Sequence, residues 1–168
     1  MFFDVDAKIK KKNKILFTPK SESIIDLVNT IHEVDHRIQI MWALDCAKIT
    51  LHRCNTLLPD ELRAATCLQL CTNWARGDIK MKEAKSAILA CHSIAKDLEY
   101  NEASSLVHAI GQAGSTVHVG SHAIGFIVYE LTSIVQRNDF KNYEKSVMQK
   151  IEYYNERLFF WKKQIKKI

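Results

Sequence analysis

The chain has 168 residues, enough for one domain with a sizeable core, and 47% of them are hydrophobic. Only two prolines and five glycines occur, which favours helix throughout and leaves few turns for a β architecture. The net charge of +5 sits at the ends: residues 1–20 carry six lysines against two aspartates, residues 137–168 carry nine Lys/Arg against four acids, and the body between is net acidic. No basic stripe of the kind nucleic acid needs therefore crosses the body.

In chain order, residues 1–20 form a lysine-rich arm around Lys8-Ile9-Lys10-Lys11-Lys12-Asn13-Lys14. No aromatic residue interleaves with these lysines, so base stacking is not expected, and the arm reads as a solvated, partly disordered extension of a bundle domain spanning 21–168. Ile15 to Pro19 is a short extended piece, and Ser21 or Ser23 is the expected N-cap of the first helix. Helical periodicity then runs to about Cys54, with a break near Asn29-Thr30. Ile31, Val34, Ile38, Met41, Trp42 and Ile49 make one apolar stripe along it. Pro59 opens a second helix over about 61–76, expected to bury Leu62, Leu68, Leu70, Cys71 and Trp74. Gly77 suits a left-handed C-terminal position, and Asp78 can cap a third helix over about 80–98, with Met81, Ala84, Ala87, Ile88, Cys91 and Ala95 inward.

The stretch from Ala103 to Tyr129 contains no Asp, Glu, Lys or Arg and holds four of the five glycines, Gly111, Gly114, Gly120 and Gly125. A helix uncharged all round is normally buried all round, so this stretch is expected as the central helix, continuing to Gln136. His108, Gln112, Ser115, Thr116, His118, Ser121 and His122 make it too polar to face lipid. Asn138-Asp139 is expected to cap a last helix to about Lys166, whose Tyr143, Val147, Ile151, Tyr154, Leu158 and Trp161 repeat at helical spacing. The expected fold is all-α: a single-domain bundle of about five helices around the Gly/Ala/Ser-rich central one.

Asp45 falls within the apolar stripe and must find donors, because a lone buried carboxylate is costly. Arg37, Arg76 and the histidines are candidates, and a satisfied core network is the expected outcome. His32/His36 and His118/His122 each place two imidazoles about 6 Å apart on one helical face. A Glu-x-x-His on each of two helices, as di-iron bundles need, is missing, and no metal or other cofactor is expected. A phosphate loop, a dinucleotide fingerprint and a Gly-x-Ser-x-Gly elbow are also missing. The five cysteines, Cys46, Cys54, Cys67, Cys71 and Cys91, lie at helical positions with no secretory signal ahead of them. They read as reduced core thiols of a cytoplasmic protein.

Asp35-His36-Arg37, Trp42-Ala43-Leu44-Asp45-Cys46-Ala47, Trp74-Ala75-Arg76-Gly77-Asp78-Ile79, Gly111-Gln112-Ala113 and Thr116-Val117-His118-Val119-Gly120-Ser121-His122-Ala123-Ile124-Gly125 occur in this order. Over roughly 33–135 the chain thereby resembles the bacterial "putative immunity protein" family, the type-five-like immunity domain of toxin–immunity systems. The resemblance implies an all-helical, non-enzymatic protein that binds and neutralises a cognate toxin. The lysine-rich arm and the Gly120-Ser121 pair, where the family pattern has Ala-Gly, depart from it.

Asp35, His36, Arg37, Trp42, Asp45, Trp74, Arg76, His118 and His122 are the binding residues expected on this reading. Trp42, Trp74 and Arg76 are the side chains suited to anchor an interface. The expected partner is a protein toxin rather than nucleic acid or membrane, and a homo-oligomer stays open. The competing reading is a small helical enzyme or metal-binding protein that draws Asp35, His36, Asp45, His118 and His122 into one cavity.

Overall fold

A computed structural model describes residues 1–165. It is all-α: α1 (Phe3–Lys10), α2 (Ile25–Glu33), α3 (His36–Leu57), α4 (Arg63–Ala75), α5 (Met81–Ser93) with a 3₁₀ turn at Ile94–Asp97, α6 (Glu102–Ser115), α7 (His122–Arg137) and α8 (Glu144–Ile165). Eight α-helices among the described residues replace the expected five or so, because two of the expected helices divide and the expected arm contains a helix of its own. The expected extension of the last helix to Lys166 lies outside the described residues.

The first division is at Val34-Asp35, not Asn29-Thr30. Asp35 is the N-cap of α3, and its carboxylate accepts the Arg37 backbone N–H at 2.8 Å. A side chain that satisfies one of the orphan N–H groups of a new helix start fixes the boundary there. Ser21 and Ser23 do not cap α2. Ile24 holds that position, and the Ser21 hydroxyl instead accepts from the Thr18 backbone and donates to Asp4.

The second division cuts the uncharged stretch into α6 and α7, an antiparallel pair joined by tight turns over 116–121. The Ser105 hydroxyl reaches Gln136 and the Arg137 Nε reaches Glu102, which ties the two far ends together. The turn passes so close to α3 that a Cβ on Gly120 would collide with the Gln39 amide oxygen. Both helices are buried on most faces, as the lack of charge predicts, and α6 packs on α3, α4, α5 and α7. The remaining helix, α1, lies in the segment expected as a solvated, partly disordered arm, and that expectation is corrected. The first twenty residues are held to the bundle through buried Val5, Leu16 and Phe17, a Tyr143 hydroxyl bond to Asp6 (2.6 Å), and a Leu16 N–H bond to the Thr132 hydroxyl (3.2 Å).

Other expectations meet the structure unevenly. Gly77 has φ +83°, with the Gly77 N–H on the Trp74 carbonyl and the Asp78 N–H on the Asn73 carbonyl, the two bonds of a Schellman ending. Glu83, not Asp78, caps α5 by accepting the Lys80 backbone N–H. Asn138 closes α7 rather than opening α8. Leu62 is 72% exposed and Ile49 49% exposed, although both fall on apolar stripes. The α8 stripe buries Tyr143, Val147, Ile151, Tyr154 and Leu158 as expected, with Trp161 half-buried.

The most deeply buried carboxylate is Glu130 on α7. It accepts hydrogen bonds from the Thr50 hydroxyl of α3 and the Tyr154 hydroxyl of α8, and pairs with Lys150 at 3.1 Å. Around it Trp42, Phe126 and Tyr154 meet edge to face, with centroids 5.5–5.9 Å apart.

Candidate functional site

The nine expected binding residues separate into three groups. Trp42 is fully buried, and its indole N–H donates to the Tyr154 carbonyl at 3.0 Å, so it holds α3 to α8. Asp45 also faces α8. It accepts from Arg157 Nε at 2.7 Å and from the Trp161 indole N–H at 3.0 Å, not from Arg37, Arg76 or a histidine. The remaining seven lie at α2–α3, at the end of α4, and around the α6–α7 turn. Asp35 and Arg37 pair with each other in the open at 3.3 Å. Hydrogen bonds from the Arg37 backbone and side chain hold the Asp35 carboxyl below its ordinary range. His36 Nε2 donates to the Thr116 carbonyl at 2.8 Å and thereby fastens the start of α3 to the α6–α7 turn. Arg76 is the exposed C-cap of α4.

Trp74, His118 and His122 converge on one cleft of about 240 Å³. The end of α4 supplies Trp74; α5 supplies Met81, Ala84, Lys85, Ile88, Leu89 and His92; and the α6–α7 pair supplies Gln112, Ser115, Val117, His118 and His122. The lining is mainly apolar with a few convergent polar groups, the usual make-up of a recognition cavity. Leu89 (62% exposed) and Met81 present apolar surface at its rim.

Two of its histidines make side-chain contacts that local spacing did not reveal. His92 Nδ1 lies 2.9 Å from His108 Nδ1, so one ring donates and the other accepts, and the His108 ring lies against Tyr129 with centroids 5.1 Å apart. His122 Nδ1 donates to the Gln112 amide oxygen at 2.8 Å, which leaves Nε2 as an acceptor. Burial, with His108 and His122 close by, pushes His92 down to about 4. Burial lowers His108, and burial together with His118 lowers His122. These three imidazoles are neutral at pH 7. The cleft thus offers an apolar cavity, neutral ring nitrogens, and Lys85 as a cation among its lining residues.

The side chains required by the competing reading do not meet. Asp45 is engaged by α8, Asp35 by Arg37 and His36 by Thr116, while His118 and His122 line the cleft. The His32-Glu33-Val34-Asp35-His36 run, which has His-Glu-x-x-His spacing, is split between the end of α2 and the start of α3, and His118 lies in the turn before α7, so neither expected histidine pair shares one helical face. Among the described residues no three His, Cys, Asp or Glu side chains are grouped to hold a metal ion. The five cysteines are unpaired and buried. Burial raises the Cys46 thiol and pushes Cys54 up to about 12, and hydrogen bonding with Cys71 and Cys91 raises Cys67, so none of these three is a ready nucleophile. No helix among the described residues is long and apolar enough to cross a membrane.

His92, His108 and Glu130 are absent from the expected residues. The two histidines meet from different helices, so no spacing links them. Glu130 did leave a signal, because it continues the Phe126, Ile127, Leu131, Ile134 face of α7.

No curated protein and no solved structure matches the chain. A family model does match, over residues 29–157, and this span covers all of α3–α7 and most of α8 but leaves out α1. The chain belongs to the Imm-5 like putative immunity protein family.

Proposed function

We propose that this chain neutralises a cognate protein toxin by binding it in the cytoplasm, without catalysing a reaction. Membership of the immunity family carries the reading. The cleft between α4, α5 and the α6–α7 turn suits the task. A rigid apolar cavity rimmed by Trp74, Met81 and Leu89 matches the pocketed, desolvated centre in which interface energy concentrates. An apolar or aromatic toxin side chain fills it, and the neutral imidazoles accept any hydroxyl or indole N–H that comes with it. Asp35, His36, Arg37 and Arg76, exposed at neighbouring helix ends, form the polar rim, whose role is steering and specificity rather than affinity. Trp42 and Asp45 act from within, by keeping α3 and α8 in register. Residues 1–20 lie outside the family match but pack on the bundle through Val5, Leu16 and Phe17.

The test starts from tagged protein purified from its own cells, with co-purifying proteins identified by mass spectrometry. Each captured partner is then expressed alone and with this chain. The reading requires one partner that arrests growth alone and is tolerated with the wild-type chain, with growth arrest restored by Leu89→Glu or Met81→Glu variants that remain folded. Survival that is indifferent to both substitutions would remove the cleft from the interface. The lack of any partner whose toxicity the chain relieves would overturn the immunity reading itself.

A further inference from the structure

A second, larger cavity of about 460 Å³ opens between α3, α7 and α8. Its deep wall is Leu106, Ile134, Thr50 and the buried Glu130, while Arg53, Arg137 and Lys150 bring three cations to its lining. Two carboxylates answer them. Glu102 accepts Arg53 through Nε (2.7 Å) and Nη2 (3.0 Å), and accepts Arg137 through Nε alone (2.7 Å). Glu130 takes Lys150, and its other hydrogen bonds come from Thr50 and Tyr154. Three cations against two carboxylates leave the cavity one positive charge in excess. Burial by itself would raise Glu102, but the hydrogen bonds from Arg53 and Arg137 outweigh it and hold this carboxylate in its charged form.

Arg137 is the informative member of this set. Its Nε donates to Glu102, which orients the guanidinium, yet its two terminal nitrogens have no hydrogen-bond partner among the described residues. A guanidinium anchored at Nε, with its pair of terminal N–H groups left to present, suits two-point recognition of a carboxylate or phosphate. Tyr153 lines the same cavity, and burial pushes its phenol up to about 12, so at neutral pH it is a hydroxyl donor.

We propose that this cavity binds a small molecule bearing an oxyanion, with Arg137 and Lys150 holding the charged group and Leu106, Ile134 and Tyr153 taking an apolar body. Arg53 is the positioning residue, because it fixes the Glu102 carboxylate that orients Arg137. The site does not involve the cleft of the toxin reading and stands independently of it. A purely structural role for the Arg53–Glu102–Arg137 clamp, tying α3 to α6 and α7, would require neither the excess charge nor the unused guanidinium edge.

The probes are benzoate and phenyl phosphate, which share a ring and differ in the anion, with inorganic phosphate as the bare oxyanion. Each is titrated into ¹⁵N-labelled full-length chain at constant ionic strength, and the Arg53 and Arg137 Nε–H signals and the Ser146, Gln149 and Tyr153 amides are followed. The expected result is saturable shifts at these positions for one aromatic probe, half-complete at or below about 1 mM, and weaker for inorganic phosphate. Arg137→Gln weakens binding about tenfold, and Ser146→Phe, which fills the cavity and keeps every charge, abolishes it. Lys82→Gln, at an exposed position on α5, leaves it unchanged. Shifts that stay linear into tens of millimolar, that spread over the terminal lysines, or that survive Ser146→Phe in a folded protein would overturn the proposal.

Discussion

Glu130→Ala tests how much of the fold depends on one buried carboxylate. The native side chain receives two hydroxyl groups and one ammonium, from α3 and α8, while itself belonging to α7. Removing it strands Lys150, whose side chain is 13% exposed, and leaves the Thr50 and Tyr154 hydroxyls without their acceptor. Breaking a buried pair from one side costs about 3–5 kcal/mol, and each orphaned hydroxyl adds about 1–3 kcal/mol where no water reaches it. Glu130 borders the larger cavity, so water entering the vacated space can satisfy the two hydroxyls and remove their share, which leaves the lower part of the pair's own cost: about 3–4 kcal/mol. That is a large fraction of the roughly 5–15 kcal/mol of a typical domain, and corresponds to a fall in Tm of about 10 °C at this size. Glu130→Gln keeps the shape but turns one acceptor into an NH₂ group that faces other donors, and loses about half as much as Glu130→Ala. Lys150→Met leaves Glu130 with both hydroxyl donors and costs less than Glu130→Ala, about 1–2 kcal/mol. Urea unfolding followed by tryptophan emission reads all three, since Trp42 packs on Tyr154. A loss under about 1 kcal/mol for Glu130→Ala at unchanged m-value would refute the network as a source of stability.

Other substitutions probe single contacts. Gly114→Ala puts a Cβ 2.9 Å from Cys71 Sγ and 3.0 Å from Cys67 Sγ, both on the buried face of α4. The overpacking cost of about 1–3 kcal/mol exceeds the helix-propensity gain of about 1 kcal/mol, so urea titration should show a net loss. Gly77→Ala meets nothing in space, and its cost of about 1 kcal/mol comes only from φ +83°, which calorimetry would register as a small drop in Tm. Asp45→Ala leaves the Trp161 indole N–H without its acceptor and releases Arg157, for about 1–2 kcal/mol; Asp45→Asn, which can still accept, should recover part of it. For pH, the folded-state value of His92 lies near 4 against an ordinary 6.5, so between these limits the unfolded chain binds more protons than the native one. Stability therefore falls as pH drops from about 6.5 to 4, with His108 and His122 adding in the same direction. His92→Phe should flatten that part of a stability-versus-pH profile, and an unchanged slope would contradict the neutral-imidazole assignment.

The α-helical class was legible because apolar residues recur at helical spacing nearly everywhere, and the α8 stripe was legible position by position. The uncharged stretch correctly announced burial but not its shape. Lack of charge reports the polarity of the surroundings, and the chain reverses at 116–121 without any charged or proline punctuation. Helix starts were misread where a serine looked like a cap and the backbone used another residue, as at Ile24. Asp45 was recognised as needing a donor, but its partners lie 112 and 116 residues away. The cleft was half visible: Trp74, His118 and His122 stood out by type, whereas the His92–His108 contact depends on how α5 meets α6, which no local pattern encodes.

The reliance of the interior on α8 has a consequence for how the protein is made. Trp42, Asp45 and Glu130 sit on helices synthesised earlier, yet each is completed by Tyr154, Arg157, Trp161 or Lys150 from α8. The amino-terminal segment waits as well, since Asp6 is met by Tyr143 and Leu16 by Thr132. A growing chain at about 5–20 residues per second therefore carries an indole, two carboxylates and an uncovered apolar seam for seconds before α8 can close over them. Chains halted before residue 154 should be retained by chaperones or degraded. The supply of folded protein is then set by translation through α8, with no long-lived species that stops short of it.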